Sequence, residues 1–412
     1  MLFAYRFLIN LILLLSPIIL IFRIIKKKED PLRFKEKIGF FSNKRAAGTL
    51  IWFHGASVGE LQSVIPIIEK LEKNKNIQQI LVTSNTLSSS KIIKNKKLKK
   101  VIHQFFPIDS NFLIKKFLNY WRPSMAIFID SEFWPNTILN LKERKIPINL
   151  INGRITYKTF NRWKKFPHLT KKLFSNFKIS LASNIESEGF LKELNFNKVR
   201  YIGNLKYSQS INENFNFNNK RLDKIFRNRI PWCAVSTHNP EELLIGEVHK
   251  FLKRKDKRLL TIIIPRHVER SNKIKKDLEK LNLKIHLFTD IKTVTDDTDI
   301  YLINSYGKTK LFYKYCKKVF LGGSLINHGG QNPLEAARYG CSILSGPHVQ
   351  NFSEIYTFLK KNKLYKLTKN KKALIFEIDF LINNKNKIKK SNNKIKDIGD
   401  QILKKTYNAV FK

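Results

Sequence analysis

Short apolar runs alternate with longer amphipathic stretches along most of the chain. The runs are rich in β-branched residues, which is typical of buried strands. In the first half of the chain they are 49-TLIWFH, 79-QILVTS, 124-SMAIFID, 147-PINLIN and 178-KISLAS. In the second half they are 232-WCAVST, 259-LLTIIIP, 299-DIYLIN, 318-KVFLGG and 341-CSILSG. This alternation predicts parallel sheets that are covered by helices on both faces.

A polar, Asn-rich stretch from Ser208 to Asn228 separates the two halves of the pattern. Its composition is typical of a linker or a peripheral helix, and a chain of 412 residues is longer than one core usually supports. We therefore expect an α/β protein with two Rossmann-like domains that face a cleft. The predicted parts are a membrane anchor at 1–28, a first Rossmann-like domain at 35–207, a linker at 208–230, a second Rossmann-like domain at 231–395 and a C-terminal tail at 396–412.

The anchor is predicted from an apolar segment between Phe7 and Phe22 that contains two polar residues. Most of the flanking charge follows it, at Arg23 and residues 26–28, which is the reverse of a cleaved signal peptide. The basic cluster predicts that the rest of the chain lies on the cytoplasmic side. Because the run is shorter than the roughly 20 residues of a comfortable span, a tilted or shallow anchor and a full span both stay open.

The formal net charge of +46 indicates an anionic partner such as a nucleic acid, an acidic membrane or a phosphorylated substrate. The lysines are scattered, so the charge alone is weak support for nucleic-acid binding. Three widely spaced cysteines predict neither a disulfide framework nor a cysteine metal site. Since the histidines lack metal spacing and the chain lacks a phosphate-binding P-loop and an early G-x-G-x-x-G, we expect no metal, no nucleotide hydrolysis and no dinucleotide redox cofactor.

Three loops after predicted strands of the first half carry candidate chemistry. In 54-HGASVGE, Ser57 and Glu60 have the spacing of a capping box, so Glu60 either starts a helix or acts chemically. In 130-DSEFWPN, Asp130 and Glu132 either favour the positive end of the next helix or take part in a site. In 203-GNLKY, Lys206 closes the first half and is a candidate to face the cleft.

The stretch 322-GGSLINHGGQNPLEAARYG predicts a phosphate cradle in the second half. Its two glycine pairs allow a close approach of backbone to a ligand, and Pro333 suits the first turn of a helix whose free N–H groups favour anions. Glu335 is suited to accept hydrogen bonds from ribose hydroxyls, and Arg266, after the strand LLTIIIP, suits a phosphate. The alternative is a glycine-rich turn made only for close packing.

Together these motifs resemble the 3-deoxy-D-manno-octulosonic acid (Kdo) transferases of lipopolysaccharide synthesis, which are inverting glycosyltransferases of the GT-B type. The resemblance runs from the N-terminal anchor to about residue 355. Its motifs are HGASVGE, SEFWPN, the NGR at 152–154, GNLKY, the STH at 236–238, PRH, GGSL, HGGQNPLEAA and the GPHVQNF at 346–352.

The resemblance implies a role for each candidate. Glu60 would be the general base, and Glu132 and Lys206 would assist the transition state. The family tends to carry an acidic residue after Met-Gly before GGSL, whereas this chain has Lys308 after Tyr306 and Gly307. The residues implied to bind CMP-Kdo are Pro265, Arg266, Tyr306, Gly307, Lys308, Gly330, Asn332, Pro333, Leu334 and Glu335.

The predicted reaction is therefore transfer of Kdo from CMP-Kdo to the lipid A precursor at the cytoplasmic leaflet of the inner membrane, without a cofactor and without a nucleic-acid partner. Two alternatives stay open at this point. One is another GT-B glycosyltransferase of the cell envelope. The other, motivated by charge alone, is a basic membrane-tethered nucleic-acid-binding protein.

Overall fold

The computed structural model describes residues 1–26, 28–208, 220–289, 295, 297–384 and 391–412. The chain divides into two compact units, of which the first comprises Met1–Ser210 and Ile398–Lys412 and the second Ile211–Asp397. Residues 209–219 of the predicted linker at 208–230 lie outside the described residues. Within its described part, a helix covers Lys220–Arg227 and a strand begins at Ile230.

The sheet of the first unit has seven parallel strands. They are β1 (Leu50–His54), β2 (Gln79–Ser84), β3 (Val101–Phe105), β4 (Met125–Ile129), β5 (Ile148–Gly153), β6 (Phe177–Ala182) and β7 (Val199–Tyr201). Their order across the sheet is β3-β2-β1-β4-β5-β6-β7. The central strands β1 and β4 are buried almost throughout, as expected for a sheet covered on both faces.

Eight helices of the first unit lie among its described residues before Ser208. They are α1 (Leu2–Ile25), α2 (Val58–Glu72), α3 (Leu87–Asn95), α4 (Asn111–Trp121), α5 (Pro135–Glu143), α6 (Tyr157–Lys164), α7 (Pro167–Phe174) and α8 (Ile185–Glu193). Five of them begin after a residue whose side chain accepts the first free backbone N–H groups, which is why they start where they do. These N-caps are Ser57, Thr86, Ser110, Thr156 and Asn184.

The sheet of the second unit repeats the first design. Its parallel strands are β8 (Ile230–Thr237), β9 (Leu259–Pro265), β10 (Ile285–Leu287), β11 (Ile300–Leu302), β12 (Lys318–Leu321), β13 (Ser342–Ser345) and β14 (Tyr365–Leu367). Their order is β10-β11-β9-β8-β12-β13-β14. All ten strands predicted from the apolar runs are confirmed, and β3, β7, β10 and β14 were not predicted.

The second half of the chain contains eight helices among its described residues, and most of the last one groups with the first unit. They are α9 (Lys220–Arg227), α10 (Glu241–Lys253), α11 (Ser271–Glu279), α12 (Thr309–Tyr315), α13 (Leu334–Arg338), α14 (Ser353–Lys361), α15 (Lys371–Asn383) and α16 (Ser391–Phe411). Trp232 and Phe320 lie in the apolar core that the sheet shares with α10 and α15. Two parallel sheets, each with its own core, confirm the predicted α/β class.

The C-terminal segment 396–412, expected as a tail, is part of the packed helix α16. Its last residues group with the first unit, where Ile402 and Val410 are buried. A Cβ on Gly399 would lie 2.4 Å from the carbonyl oxygen of Tyr207, so helix and chain pass very close there. The Lys- and Asn-rich composition concealed this because few apolar positions are enough to bury one side of a helix.

The N-terminal helix α1 is the one helix among the described residues that is long and apolar enough to cross a membrane. Its 24 residues correspond to a length of about 36 Å, compared with a hydrocarbon core of about 30 Å. The helix extends beyond the apolar run from Phe7 to Phe22 at both ends. Length and composition therefore permit a membrane span. The orientation of α1 has to be inferred from its contacts with the rest of the chain.

Candidate functional site

Glu60 lies in the first turn of α2, directly after the loop that leaves β1. Its Oε2 accepts a hydrogen bond of 2.7 Å from the backbone N–H of Ala56, and its Oε1 accepts one of 2.7 Å from the hydroxyl of Ser57. Two fixed donors therefore hold the carboxylate in one orientation, and the residue stays partly exposed. Each oxygen keeps a further lone pair for another partner.

The capping box predicted from Ser57 and Glu60 is formed only in part. The hydroxyl oxygen of Ser57 accepts the N–H of Glu60 at 3.4 Å, as an N-cap should. The return bond, expected from the N–H of Ser57, comes instead from the N–H of Ala56. Glu60 can therefore cap the helix and still act as a base, because the capping contacts use only one lone pair of each carboxylate oxygen.

Asp130 follows β4 in a left-handed backbone conformation, with φ of 61°. The pKa of its carboxyl is raised to about 6, mainly by burial and also by the charges of Glu60 and Glu132, against the opposing charges of Lys206 and Arg154. These mutual effects mean that the five side chains form one electrostatic cluster. A non-glycine residue with positive φ is uncommon and often lies at a functional site.

A partly buried hydrogen-bond network that includes Trp134, His54 and Thr83 orients Glu132. The indole N–H of Trp134 lies 2.9 Å from Glu132 Oε2 and 3.0 Å from His54 Nε2, so the two acceptors share it. His54 Nδ1 is 2.9 Å from Thr83 Oγ1. Because Nε2 accepts, Nδ1 carries the proton and donates to Thr83. The end of β1 therefore positions the loop that carries Glu132.

Lys206 lies in a short 3-10 helix, Leu205–Ser208, after β7. Asn152 fixes this turn, because its side-chain oxygen accepts the N–H of Leu205 at 2.9 Å. Asn204 accepts the N–H of Lys206 at the same distance. The NGR stretch thus supports the lysine turn. The structure brings the three predicted residues Glu60, Glu132 and Lys206 together with Asp130.

The corresponding edge of the second sheet carries positive and neutral nitrogen groups. Pro265 ends β9, and the exposed Arg266 follows it with its N–H bonded to Thr237 at 3.1 Å. The ring of His238 lies 4.0 Å from that of His328 and 5.7 Å from that of His267. Burial, together with the neighbouring histidine and arginine charges, lowers the pKa of His238 to about 4.

The first glycine pair of this stretch, Gly322 and Gly323, lies beside a carboxylate that comes from α10. The buried carboxylate of Glu241 accepts the backbone N–H groups of Gly323, Ser324 and Leu325, at 2.7 to 3.1 Å, and also that of His238. These N–H groups are therefore occupied within the protein. Sequence reasoning missed this carboxylate, because the glycines indicated close backbone approach without indicating what approaches.

The second glycine pair leads into α13. Gly330 has φ of 73°, and a Cβ there would lie 3.0 Å from a backbone oxygen, so only glycine fits without strain. The exposed Asn332 accepts the N–H of Leu334 at 3.0 Å, and Pro333 is the buried N-cap. Glu335, in the first turn, is partly exposed and 3.5 Å from the ammonium of Lys310.

The segment 306–308 precedes α12, and Lys310 in the first turn of α12 pairs with Glu335 of α13. Tyr306 is exposed and donates to Glu269 at 3.0 Å. Gly307 adopts positive φ, and Lys308 is the N-cap residue of α12. The Lys310–Glu335 pair therefore links the helix that follows 306–308 to the helix that follows Asn332. In the described ranges, no group of three or more His, Cys, Asp or Glu side chains has the arrangement of a metal site.

Sequence reasoning missed three residues that organise these two regions. His54 and His238 were quoted within motifs and given no role, and Glu241 was not considered. His54 is the last residue of β1, and His238 and Glu241 follow the end of β8 at Thr237. A polar residue at the carboxyl end of a fully apolar strand is the signal that was available, since ligands in such sheets bind at that edge.

Comparison with known proteins gives a consistent result. Residues 32–209 match the family described as 3-Deoxy-D-manno-octulosonic-acid transferase (kdotransferase). A 3-deoxy-D-manno-octulosonic acid transferase of Rickettsia bellii is 31% identical over 387 residues, covering 93% of this chain and 91% of the relative. A protein of the same name from Haemophilus influenzae is 29% identical over 413 residues, covering 97% and 95%.

Among solved structures, the UDP-GlcNAc 2-epimerase from Neisseria meningitidis is similar with a TM-score of 0.59 and 15% identity, covering 88% of this chain and all of the other. That likeness concerns the fold, and it agrees with the predicted GT-B architecture. The resemblance inferred from the motifs is confirmed, and so is the glycosyltransferase class that it implied. The chain belongs to the 3-deoxy-D-manno-octulosonic acid transferase family.

Proposed function

We propose that this chain transfers Kdo from CMP-Kdo to a sugar hydroxyl of the lipid A precursor, with inversion at the anomeric carbon. The proposal rests on the orientation, the exposure and the charged neighbours of the Glu60 carboxylate. Its carboxylate is oriented by Ala56 and Ser57, partly exposed, and surrounded by Asp130, Glu132 and Lys206. A fixed carboxylate with free lone pairs suits a general base.

In this proposal Glu60 takes the proton of the acceptor hydroxyl as its oxygen attacks the anomeric carbon of Kdo. A new C–O bond forms on one face of the sugar while the bond to the CMP phosphate breaks on the other. CMP leaves with the bonding electron pair, and the proton passes from Glu60 to solvent. The two donors to Glu60 keep its free lone pairs aimed during this step.

Glu132 and Lys206 assist the transition state by their opposite charges. Positive charge develops on the anomeric carbon as CMP departs, and a carboxylate such as Glu132 stabilises it electrostatically. The ammonium of Lys206 suits the carboxylate of the donor sugar or the departing phosphate. The network of Trp134 and His54 supports this arrangement by fixing the loop that carries Glu132.

The donor nucleotide is assigned to the second unit. Arg266 supplies a guanidinium for the phosphate at the end of β9, next to the backbone of Pro265. Residues Asn332 to Glu335 and Tyr306 to Lys308 are the other candidates for the nucleotide, and Glu335 is suited to ribose hydroxyls. The rings of His238 and His328, 4.0 Å apart, add further hydrogen-bonding groups.

The acceptor is a lipid, and the apolar helix α1 together with the net charge of +46 suits work at an anionic membrane. We assign the chain to the inner membrane with its catalytic units on the cytoplasmic side. Nucleic acid is not proposed as a partner, because no motif for it accompanies the charge.

The direct test incubates the full chain in liposomes with CMP-Kdo and lipid A precursor and follows both products by mass spectrometry. We expect the precursor to gain the mass of one or more Kdo residues and CMP to be released in equal number. Thermal protection by CMP, and none by UDP, separates this function from another GT-B envelope transferase. Protection by UDP alone, with no mass gain, contradicts the proposal.

A further inference from the structure

One side of α1 is covered along the whole length of the helix. The covered or partly covered positions recur every three or four residues, which is the period of a single helix face. They are Leu2, Tyr5, Arg6, Ile9, Leu13, Ser16, Leu20, Arg23 and Ile24. The helix therefore lies along a protein surface from its first turn to its last, since a helix that touched the protein at one end would be covered only there.

Specific contacts hold the first turns of α1 on the first unit. The hydroxyl of Tyr5 donates to the buried carboxylate of Asp109 at 2.7 Å, and Arg6 Nε donates to Asn136 Oδ1 at 2.9 Å. Leu2 packs against the apolar core of the same unit. Asp109 also accepts the N–H of Asn136 at the start of α5, so these contacts reach the catalytic domain itself.

The last turn of α1 is held on the same unit. Arg23 Nε pairs with the buried Glu29 at 2.7 Å. Glu29 also pairs with Lys37 at 2.6 Å, and Lys37 donates to the carbonyl of Asn85, after β2, at 3.2 Å. Both ends of the helix are thus connected by hydrogen bonds to one body.

These contacts are incompatible with a transmembrane orientation. Tyr5 and Arg23 are 18 positions apart, which corresponds to about 27 Å along a helix. A spanning helix would carry Tyr5 to the opposite side of the bilayer from Arg23. Asp109 and Glu29, their partners, belong to the same globular unit, so both ends lie on the same side as that unit.

The side of α1 that faces away from the unit is an apolar stripe. Its most exposed members recur at helical spacing and are Phe3, Phe7, Leu14, Ile18 and Ile25, between 63% and 84% exposed. Lys26 and Lys28 follow at the end of the helix. An apolar stripe of this length with basic residues at one end suits the interface of an anionic bilayer.

We propose that α1 lies in the plane of the membrane, with one face docked on the first unit and the opposite face in the headgroup and upper acyl region of a single leaflet. This proposal rests on the membrane location in the proposed function and makes it more specific. It also fixes the depth of the catalytic unit, because α5, which begins directly after the Glu132 loop, is bonded to the embedded helix.

Depth measurements test the orientation. Single variants Phe3→Cys, Leu14→Cys and Ile25→Cys are labelled with an environment-sensitive fluorophore in the full chain, bound to liposomes with anionic lipids. The native Cys233, Cys316 and Cys341 are buried and leave the label to the introduced site. Lipids that carry a quencher at known depths then report the position of each label.

We expect similar, shallow depths at all three positions, within the leaflet to which the protein was added. Lys75→Cys, in the exposed turn between α2 and β2, serves as the unquenched control. A profile deepest at Leu14, with the other two near opposite membrane faces, overturns the proposal, and so does the absence of quenching at all three. The profile should be the same in Glu60→Gln protein, so failure here is distinct from failure of Kdo transfer.

Discussion

Each unit places a glutamate near the start of the helix that follows its first strand. In the first unit this is Glu60, after β1, and in the second it is Glu241, after β8. Glu60 accepts two hydrogen bonds and is partly exposed. Glu241 accepts four backbone N–H groups and is almost fully buried.

The position of a carboxylate in the fold therefore does not decide its role. With all its strong acceptor positions engaged and no solvent access, Glu241 is a structural group that fixes the turn from Gly323 to Leu325. Glu60 has spare lone pairs on an accessible side, so it can meet a substrate. The number of internal donors and the exposure separate the two roles.

The same contrast extends to the surroundings of the two residues. Glu60 shares its edge with Asp130 and Glu132, which makes that region rich in carboxylates. The edge near Glu241 carries Arg266 and the ring of His238. The first edge is suited to moving a proton and stabilising positive charge, and the second to holding an anionic ligand.

The largest expected effect is the loss of turnover in Glu60→Gln. The amide oxygen can still accept the N–H of Ala56, and the amide group can donate to Ser57, but it cannot take a proton. We expect turnover to fall by roughly 100-fold or more, with the melting temperature close to that of the parent. Glu69→Gln, on the same helix and paired with Lys96 at the surface, is the matched control.

The turnover of both variants is measured at saturating CMP-Kdo and lipid A precursor. A Glu60→Gln protein with near-parent turnover would contradict the role of base and direct attention to Asp130 and Glu132. If the large fall in turnover came with a clear fall in melting temperature, the result would instead assign Glu60 to capping the helix.

Glu241→Gln should give the opposite result, a loss of stability. The buried amide can accept at one oxygen only, and its NH₂ group would face two backbone N–H groups that have lost their acceptor. We expect the free energy of unfolding to fall by about 2 to 4 kcal/mol, since each unpaired buried group costs about 1 to 3 kcal/mol. Urea denaturation measures this, and an unchanged unfolding free energy would show that the four bonds contribute little.

Arg266→Gln tests the anionic ligand of the second edge. Losing the charge-assisted bond to a phosphate should weaken CMP binding by about 10- to 100-fold, measured by calorimetry. Arg254→Gln, an exposed residue that follows the far end of α10, is the control and should leave the affinity unchanged. Equal affinities in both variants would remove Arg266 from the donor site.

Sequence patterns predicted the central strands well and the edges poorly. The four strands that were not predicted, β3, β7, β10 and β14, are the outer strands of the two sheets. Edge strands are covered less completely, so they carry residues such as His103 in β3 and Arg200 in β7 and lack a continuous apolar run. The order of strands also depends on contacts that no local pattern contains.

The candidate site divides in the same way. Glu60, Glu132 and Lys206 were predicted in three separate loops. They lie close together because the carboxyl ends of parallel strands share one edge of the sheet. The acceptor of the N–H groups of Gly323 and Ser324 was not predictable, because Glu241 is some 80 residues away in sequence. Long-range side-chain bonds have no local signature.

The smallest expected effect concerns Asp130, at the centre of the carboxylate edge. Burial and the charges of Glu60 and Glu132 raise the pKa of this carboxyl from 3.8 to about 6 in the folded protein. Between these values the folded chain holds the proton more tightly than the unfolded chain. The stability from this group is therefore fully present below pH 3.8 and is lost as the pH rises through 6.

Comparing the parent with Asp130→Asn isolates this titration, because asparagine does not ionise and other groups cancel in the difference. From pH 5 to pH 7 the unfolding free energy of the parent should fall by about 1 kcal/mol relative to the variant, since one pKa unit corresponds to about 1.4 kcal/mol. Urea denaturation followed by tryptophan fluorescence measures both proteins, and four of the five tryptophans lie in the first unit. A difference that is constant from pH 5 to pH 7, or that grows in favour of the parent, would mean that the charges of Lys206 and Arg154 offset or outweigh the burial of Asp130 and that the carboxylate edge tolerates three ionised acids.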